Sequence, residues 1–237
     1  MSLVPISFGS AGRPPIVLVH DISGSAFPYI PFALDATLKQ HTIYGISALK
    51  SNNSSFGFES VSAWAESYAN LLDELKEKRV ILGGWSLGGV LAMEMARILA
   101  KRGRFQVLGV VCIDSHAPWH TSALPLRTVP QGVEVGGRLV ESAYFTPSEM
   151  SRLVDLWTGT TREELAAAGK LQCSSWLITP AASGCNGLED WFGEHPERVL
   201  RVGQEGEGCD HFSMMEAKGR WIPEVVLAVK DVVRQLP

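Results

Sequence analysis

The stretch "VILGGWSLGGVLAMEMARILA", Val80 to Ala100, decides how this chain is read. An apolar run, Val80-Ile81-Leu82, leads into Gly83-Gly84-Trp85-Ser86-Leu87-Gly88-Gly89, and a second, longer apolar segment follows. The first run has the character of a buried strand and the last that of a helix. One serine therefore sits between strand and helix with a pair of glycines on each side. Glycine permits tight bends and the close approach of neighbouring backbone. Gly84-Trp85-Ser86-Leu87-Gly88 is the G-x-S-x-G pattern in the strand–turn–helix setting that projects a nucleophilic hydroxyl above the carboxyl edge of a sheet. The N–H of Leu87 falls in the first helical turn, where unpaired donors and the helix dipole favour negative charge. The oxygen of a tetrahedral intermediate is such a charge. Ser86 is the candidate nucleophile and Leu87 a candidate oxyanion donor. The competing reading, a glycine-rich turn around an ordinary buried serine, does not account for both flanks.

The elements around this stretch set the fold class. "IVLVH" from Ile16, "TIYGI" from Thr42, "RVILGG" and "FQVLGVVCID" are short apolar runs of strand length. Between them lie a loop and helical segment after His20, a helix over "VSAWAESYANLLDELKEK" from Val61, and the helix after Ser86, closed by Gly103. This alternation implies an α/β protein with a mostly parallel sheet and helices on both faces. It breaks from Ser115 to about Ala168, which holds prolines, the patch "QGVEVGGR" and the helical "TPSEMSRLVDLW" and "TREELAAAG". The expectation there is a helical insertion over the site, within a single domain spanning 1–237. Trp119 and Trp157, with Leu124, Leu126, Leu139, Leu153 and Leu156, suit either a substrate-facing wall or packing onto the body. Strand character returns at "SSWLITP" and "RVLRVG", and "IPEVVLAVKDVVRQL" is the last helix, with Pro223 near its start.

Composition excludes several classes. The 237 residues are 46% hydrophobic and 19% charged, enough for a large core and unlike a disordered chain. A net charge of −4 gives no electrostatic reason to expect nucleic acid or an anionic membrane. No run has the length of a membrane span, and the first residues lack a basic segment followed by an apolar core. A cytoplasmic location is expected. The four cysteines, Cys112, Cys173, Cys185 and Cys209, have neither disulfide-like nor zinc-like spacing.

A serine hydroxyl needs a base. Of six histidines, only His195 and His211 come late enough for the order serine, acid, histidine. His211 lies in the glycine-rich "GEGCDHFSMM" and is preferred to His195 in the solvent-like "FGEHPERV". The acid must bond the far imidazole nitrogen and stabilise the imidazolium. Asp114 ends an apolar strand, while Glu189 and Asp190 follow the later "WLITP" strand; these readings stay open on spacing. Asp210 is read as a loop-fixing residue.

At "IVLVHDISGSAFPY", "GWSLGGVLAMEMARIL", "VVCIDSHAP" and "GCDHFSMM", in this order from Ile16 to Met215, the chain resembles the type I thioesterase domains of polyketide synthases and nonribosomal peptide synthetases, especially fungal ones. The resemblance implies an α/β-hydrolase fold with a helical lid. It also implies Ser86 as nucleophile, His211 as base and Asp114, rather than Asp190, as acid. The family's His-Pro-x-Gly-Gly loop stands here as His20-Asp21-Ile22-Ser23-Gly24, which matches Ile22 to the second oxyanion donor. Cys209 takes the place of a glycine. The implied substrate is an acyl or peptidyl chain on the phosphopantetheine arm of a carrier protein, released through an acyl-serine by hydrolysis or cyclisation. The implied enzyme has no metal and no organic cofactor of its own. Rival readings are another elbow-serine chemistry, such as a small-ester hydrolase or Claisen-type cyclase, and a silent fold that only docks carrier proteins.

Overall fold

The computed structural model describes residues 2–48, 58–118, 126–135, 137–142, 144–161, 163–164, 171–181 and 199–237. The strands of the main sheet are β1 (Ser2–Ser7), β2 (Ile16–Val19), β3 (Ile43–Ser47), β4 (Arg79–Trp85) and β5 (Gln106–Ile113), with β9 (Ser174–Pro180) and β10 (Val199–Val202) later in the chain. Between β5 and β9 lie β6 (Leu126–Val129), β7 (Gly132–Val135) and β8 (Arg138–Val140). The helices are α1 (Val61–Leu71), α2 (Leu87–Arg102), α3 (Pro147–Thr158) and α4 (Ile222–Gln235), with a 3-10 helix at Phe27–Leu34.

The main sheet has seven strands in the order β1-β3-β2-β4-β5-β9-β10, all parallel except β1, which runs antiparallel to β3 at the edge. Strands with both faces covered read as continuous apolar runs, and the period of two divides each run between the faces. Val17, Val19, Val80, Leu82, Val110 and Cys112 pack with α1, α2 and α3. Their neighbours Ile16, Leu18, Ile81, Val111 and Ile113 pack with α4 and the 3-10 helix on the other side. α2 is buried nearly all round, and its two inward charged residues, Glu94 and Arg97, pair at 3.2 Å. Gly103, at φ 64°, closes α2 in the left-handed conformation that favours glycine.

The segment expected to be helical carries more than a helix. β6, β7 and β8 form a separate three-stranded antiparallel sheet, and α3 packs against β6 and β7. The physical reason lies in "GVEV": Val133 and Val135 are buried while Glu134 between them is partly exposed, the alternation of a one-sided strand. Turn residues at each end of this short run mask the period. α3 matches the helical expectation and opens with a capping box between Thr146 and Glu149. Trp157 and Leu153 face the core, whereas Leu139 is exposed. Trp119 and Leu124 lie outside the described residues. Among the described residues, no helix is long and apolar enough to cross a membrane.

Candidate active site

Ser86 stands between the end of β4 and the start of α2 with φ 57° and ψ −128°, backbone that L-residues rarely adopt. Its glycine neighbours make that turn possible. A side chain on Gly84 would run into the backbone of Gly88, and one on Gly88 into the carbonyl of Val19. The start of α2 thus lies directly against the end of β2. The Ser86 N–H donates to the Ile113 carbonyl at 2.9 Å, tying the turn to the end of β5. The Tyr29 hydroxyl donates to the Val19 carbonyl and accepts the Trp85 N–H at 2.8 Å, which joins the ends of β2 and β4. Nothing in "FPYIPF" signals that role.

Asp114 follows β5 with φ 38°, a second strained non-glycine position at the same sheet edge. Its N–H donates to the Ile178 carbonyl at 2.6 Å. Thr179, at the end of β9, donates its hydroxyl to Asp114 Oδ1 at 2.7 Å. His211 Nδ1 bonds Asp114 Oδ2 at 2.8 Å. Burial pushes the Asp114 carboxyl up, but the imidazoles of His116 and His211 more than offset this and hold it well below the usual carboxylate range. Asp114 is therefore a buried anion, so a proton on His211 Nδ1 is favoured.

His211 is itself buried. Its ring leans over Trp85, with centroids 5.1 Å apart and planes at 33°, and Phe212 meets it edge-on at 5.1 Å. Trp85 Nε1 donates to the His211 carbonyl at 3.1 Å. The residue immediately before Ser86 thus carries both the ring and the backbone of His211. Asp210 fixes the loop, its Oδ1 accepting the N–H groups of Phe212 and Ser213 at 3.0 and 2.7 Å.

Ile22 is buried in the loop after β2, and Leu87 is the first residue of α2, also buried. The contact of Gly88 with Val19 and His20 brings that loop alongside the helix start. The same loop buries two ionisable groups. His20 bonds the Asp21 carbonyl through Nδ1 and the Tyr68 hydroxyl through Nε2, and burial pushes its pKa down to about 4. The Asp21 carboxylate accepts from Ser23 Oγ at 2.5 Å; burial pushes it upward, against the pull of those bonds and of the His211 charge.

Two neighbours escape a reading of the sequence. Thr179 is announced only by a polar residue near the end of an apolar strand. His116 lies two residues after Asp114, with Nε2 3.9 Å from Asp114 Oδ2 and its ring 6.0 Å from that of His211. Glu189, Asp190 and His195 lie outside the described residues.

A mostly parallel sheet flanked by helices, with a strained serine at a strand–helix turn, gives this chain the α/β-hydrolase fold. The solved structures it resembles have that fold: the NocB thioesterase domain from the nocardicin cluster (TM-score 0.63, 20% identity, 95% of this chain and 94% of that one) and the Vlm2 thioesterase domain (TM-score 0.64, 17% identity, 99% and 96%). Residues 14–131 match the thioesterase domain family. Relatives include thioesterase frbD of a Dothideomycetidae species, 32% identical over 164 residues, covering 64% of this chain and 58% of that protein. The probable thioesterase gloN of Glarea lozoyensis is 37% identical over 105 residues, 44% of this chain and 36% of its own. The atrochrysone carboxylic acid synthase PKS4 of Calonarius odorifer is 37% identical over 114 residues, 45% of this chain and 6% of its own. The chain thus matches only part of the length of these curated relatives.

Proposed function

We propose that this chain is a serine thioesterase that releases an acyl or peptidyl chain from the phosphopantetheine thioester of a carrier protein. The observation that carries the reading is the 2.8 Å bond between His211 Nδ1 and Asp114 Oδ2, on an imidazole that rests against Trp85 beside Ser86. In this reading Ser86 Oγ attacks the thioester carbonyl while His211 Nε2 takes the hydroxyl proton. Asp114 keeps the Nδ1–H tautomer and stabilises the imidazolium. The N–H groups of Leu87 and Ile22 receive the oxyanion, helped by the dipole of α2. The thiolate leaves with the proton returned by His211, and an ester to Ser86 remains. His211 then takes a proton from water, or from a hydroxyl or amine, as that group attacks the acyl carbon; the acyl–Oγ bond breaks and the proton passes to Ser86 Oγ, giving a free acid, or an ester, lactone or amide. The enzyme's own residues carry these steps. Residues 115–168 serve as a lid that shapes the acyl chamber and limits water. The relatives named as thioesterases and, in Cladonia grayi, as a non-reducing polyketide synthase support a carrier-bound substrate.

The test is incubation with a panel of acyl-N-acetylcysteamine thioesters, read by mass spectrometry. Wild type should release product and show an added acyl mass on the Ser86 peptide with a slow substrate. Ser86→Ala should do neither while remaining folded. Thioester cleavage by Ser86→Ala at the wild-type rate would defeat the reading. So would labelling of Ser86 by a fluorophosphonate probe without cleavage of any thioester, which favours a different ester chemistry. Failure of the probe to label Ser86 points to a silent fold.

A further inference from the structure

His116 has no part in the acyl-transfer steps, yet it is buried beside them. We propose that Asp114, His116 and His211 form an inhibitory site for a borderline divalent transition metal, with Zn2+ as its first candidate. The inhibition rests on the reading of His211 as the base. One donor atom from each of the three residues lies within 4.8 Å of the other two. Asp114 Oδ2 is shared, 2.8 Å from His211 Nδ1 and 3.9 Å from His116 Nε2. The last distance is an ion-pair separation, too long for a hydrogen bond. His116 Nδ1 is buried without a hydrogen-bond partner among the described residues. The second imidazole is therefore less firmly held than the first.

Two imidazoles and a carboxylate are a donor set of three-ligand zinc sites, whose fourth position is left to water. Metal–ligand lengths near 2.0–2.1 Å put tetrahedral donor atoms roughly 3.3 Å apart, so His116 must close in by about 1.5 Å at most, while His211 Nδ1 and Asp114 Oδ2 open by about 0.5 Å. Thr179 holds Oδ1 of the carboxylate, which leaves Oδ2 turned toward both rings. Such a supporting hydrogen bond is what orients a metal-binding carboxylate. The site suits nitrogen-preferring ions and has too few oxygens for Mg2+ or Ca2+.

Binding disables the base through His211 Nδ1, the nitrogen that faces Asp114 Oδ2. With the ion on Nδ1, the neutral ring must carry its single proton on Nε2, so the proton moves from Nδ1 to Nε2 with none gained or lost. An Nε2–H cannot accept from Ser86. The ion acts here as an inhibitor and takes no part in turnover.

Metal-stripped full-length protein is titrated with Zn2+ against a chromogenic zinc indicator, and the rate of Ser86 labelling by a fluorophosphonate probe is followed in parallel. The expected result is a saturable site whose occupancy and loss of labelling share one midpoint, with chelator restoring the rate. Each variant is referred to its own zinc-free rate. His116→Gln removes one of the three ligands and should raise the midpoint by at least the roughly 10–100-fold that losing a mere supporting group costs. Mg2+ should leave labelling unchanged. No zinc uptake by wild type, an unchanged midpoint in His116→Gln, or equal inhibition by Mg2+ overturns the proposal. Should zinc-free wild type fail to label, the nucleophile reading fails, and the indicator titration of wild type against His116→Gln still decides the site. If that variant does not fold, Co2+ bound to wild type takes its place: absence of the visible absorption of a four-coordinate site overturns the proposal.

Discussion

The Asp114 carboxylate is surrounded by groups that stabilise its charge: Thr179 on one oxygen and His211 on the other. Asp114→Asn keeps the size but offers His211 Nδ1 an amide that can donate. The wrong tautomer then competes, and kcat should fall by about 10⁴-fold. A thioester assay at pH 7 reads this; a loss of less than tenfold would remove Asp114 from the mechanism. His20 behaves in the opposite sense to an ion-paired group. Its folded pKa of about 4 lies below the ordinary 6.5, so the unfolded chain protonates first as the pH falls. Stability is undiminished above pH 6.5 and is lost progressively down to pH 4. The span corresponds to about 3 kcal/mol. Urea unfolding at several pH values should show His20→Gln losing less stability than wild type across that window. Equal slopes would mean that His20 is hydrated or charged in the folded state.

At the scale of elements, the join of β4 to α2 is the most constrained feature. Gly88 sits where a side chain would strike the Val19 and His20 carbonyls, which are backbone and have little room to retreat. Gly88→Ala would gain helix propensity in isolation. In the fold it must push α2 away from β2, at the cost of about 1–3 kcal/mol for overpacking. It should also slow acylation, because the Leu87 N–H and the Ile22 loop move apart. Chemical denaturation together with the fluorophosphonate rate checks both effects. A stabilised Gly88→Ala with full reactivity would contradict this packing. This join was legible in the sequence because a strand, a bend and a helix are adjacent in the chain. The β6–β8 sheet was not: its strands are only a few residues long, and the alternation in Gly132–Val135 is confined to one hairpin arm. β1 was missed as well. Pro5 interrupts it, and proline is tolerated there because the strand lies at the sheet edge.

Across the whole molecule, the segment from Arg138 to Phe145 ties the region after β5 to both sides of the site. Arg138 pairs with Asp210 and Glu216, each at 3.2 Å, and its guanidinium lies 5.3 Å over the Phe212 ring. Ser142 donates to the Ser23 carbonyl, and Phe145 lies 6.0 Å from the His20 ring. The segment therefore spans from the His211 loop to the Ile22 loop. The ion pairs are about half exposed, so Arg138→Ala should cost at most about 1 kcal/mol of stability. Its effect should instead appear in reactivity, as a severalfold slower labelling of Ser86. Added salt should slow wild type toward the Arg138→Ala rate and leave the variant little changed, because screening removes what the mutation removes. An Arg138→Ala enzyme with wild-type rate and salt response would mean that the segment packs without positioning His211.

The sequence by itself determined the local conformations: the glycine-flanked bend at Ser86, the two-faced apolar strands, the buried α2 and its glycine stop. These depend on residues within a turn or a strand length of one another, where sterics and burial act directly. Tertiary structure alone decided which side chains meet at the carboxyl edge. Asp114 reaches His211 across 97 positions and Thr179 across 65, because β4, β5 and β9 lie side by side in parallel. Spacing had left Asp114 open against Glu189 and Asp190, and it gave no sign that His116 would share the same carboxylate. Strand order and register set those distances, and both arise from burying the two faces of the sheet at once, a property of the assembled layers that no single stretch of the chain contains.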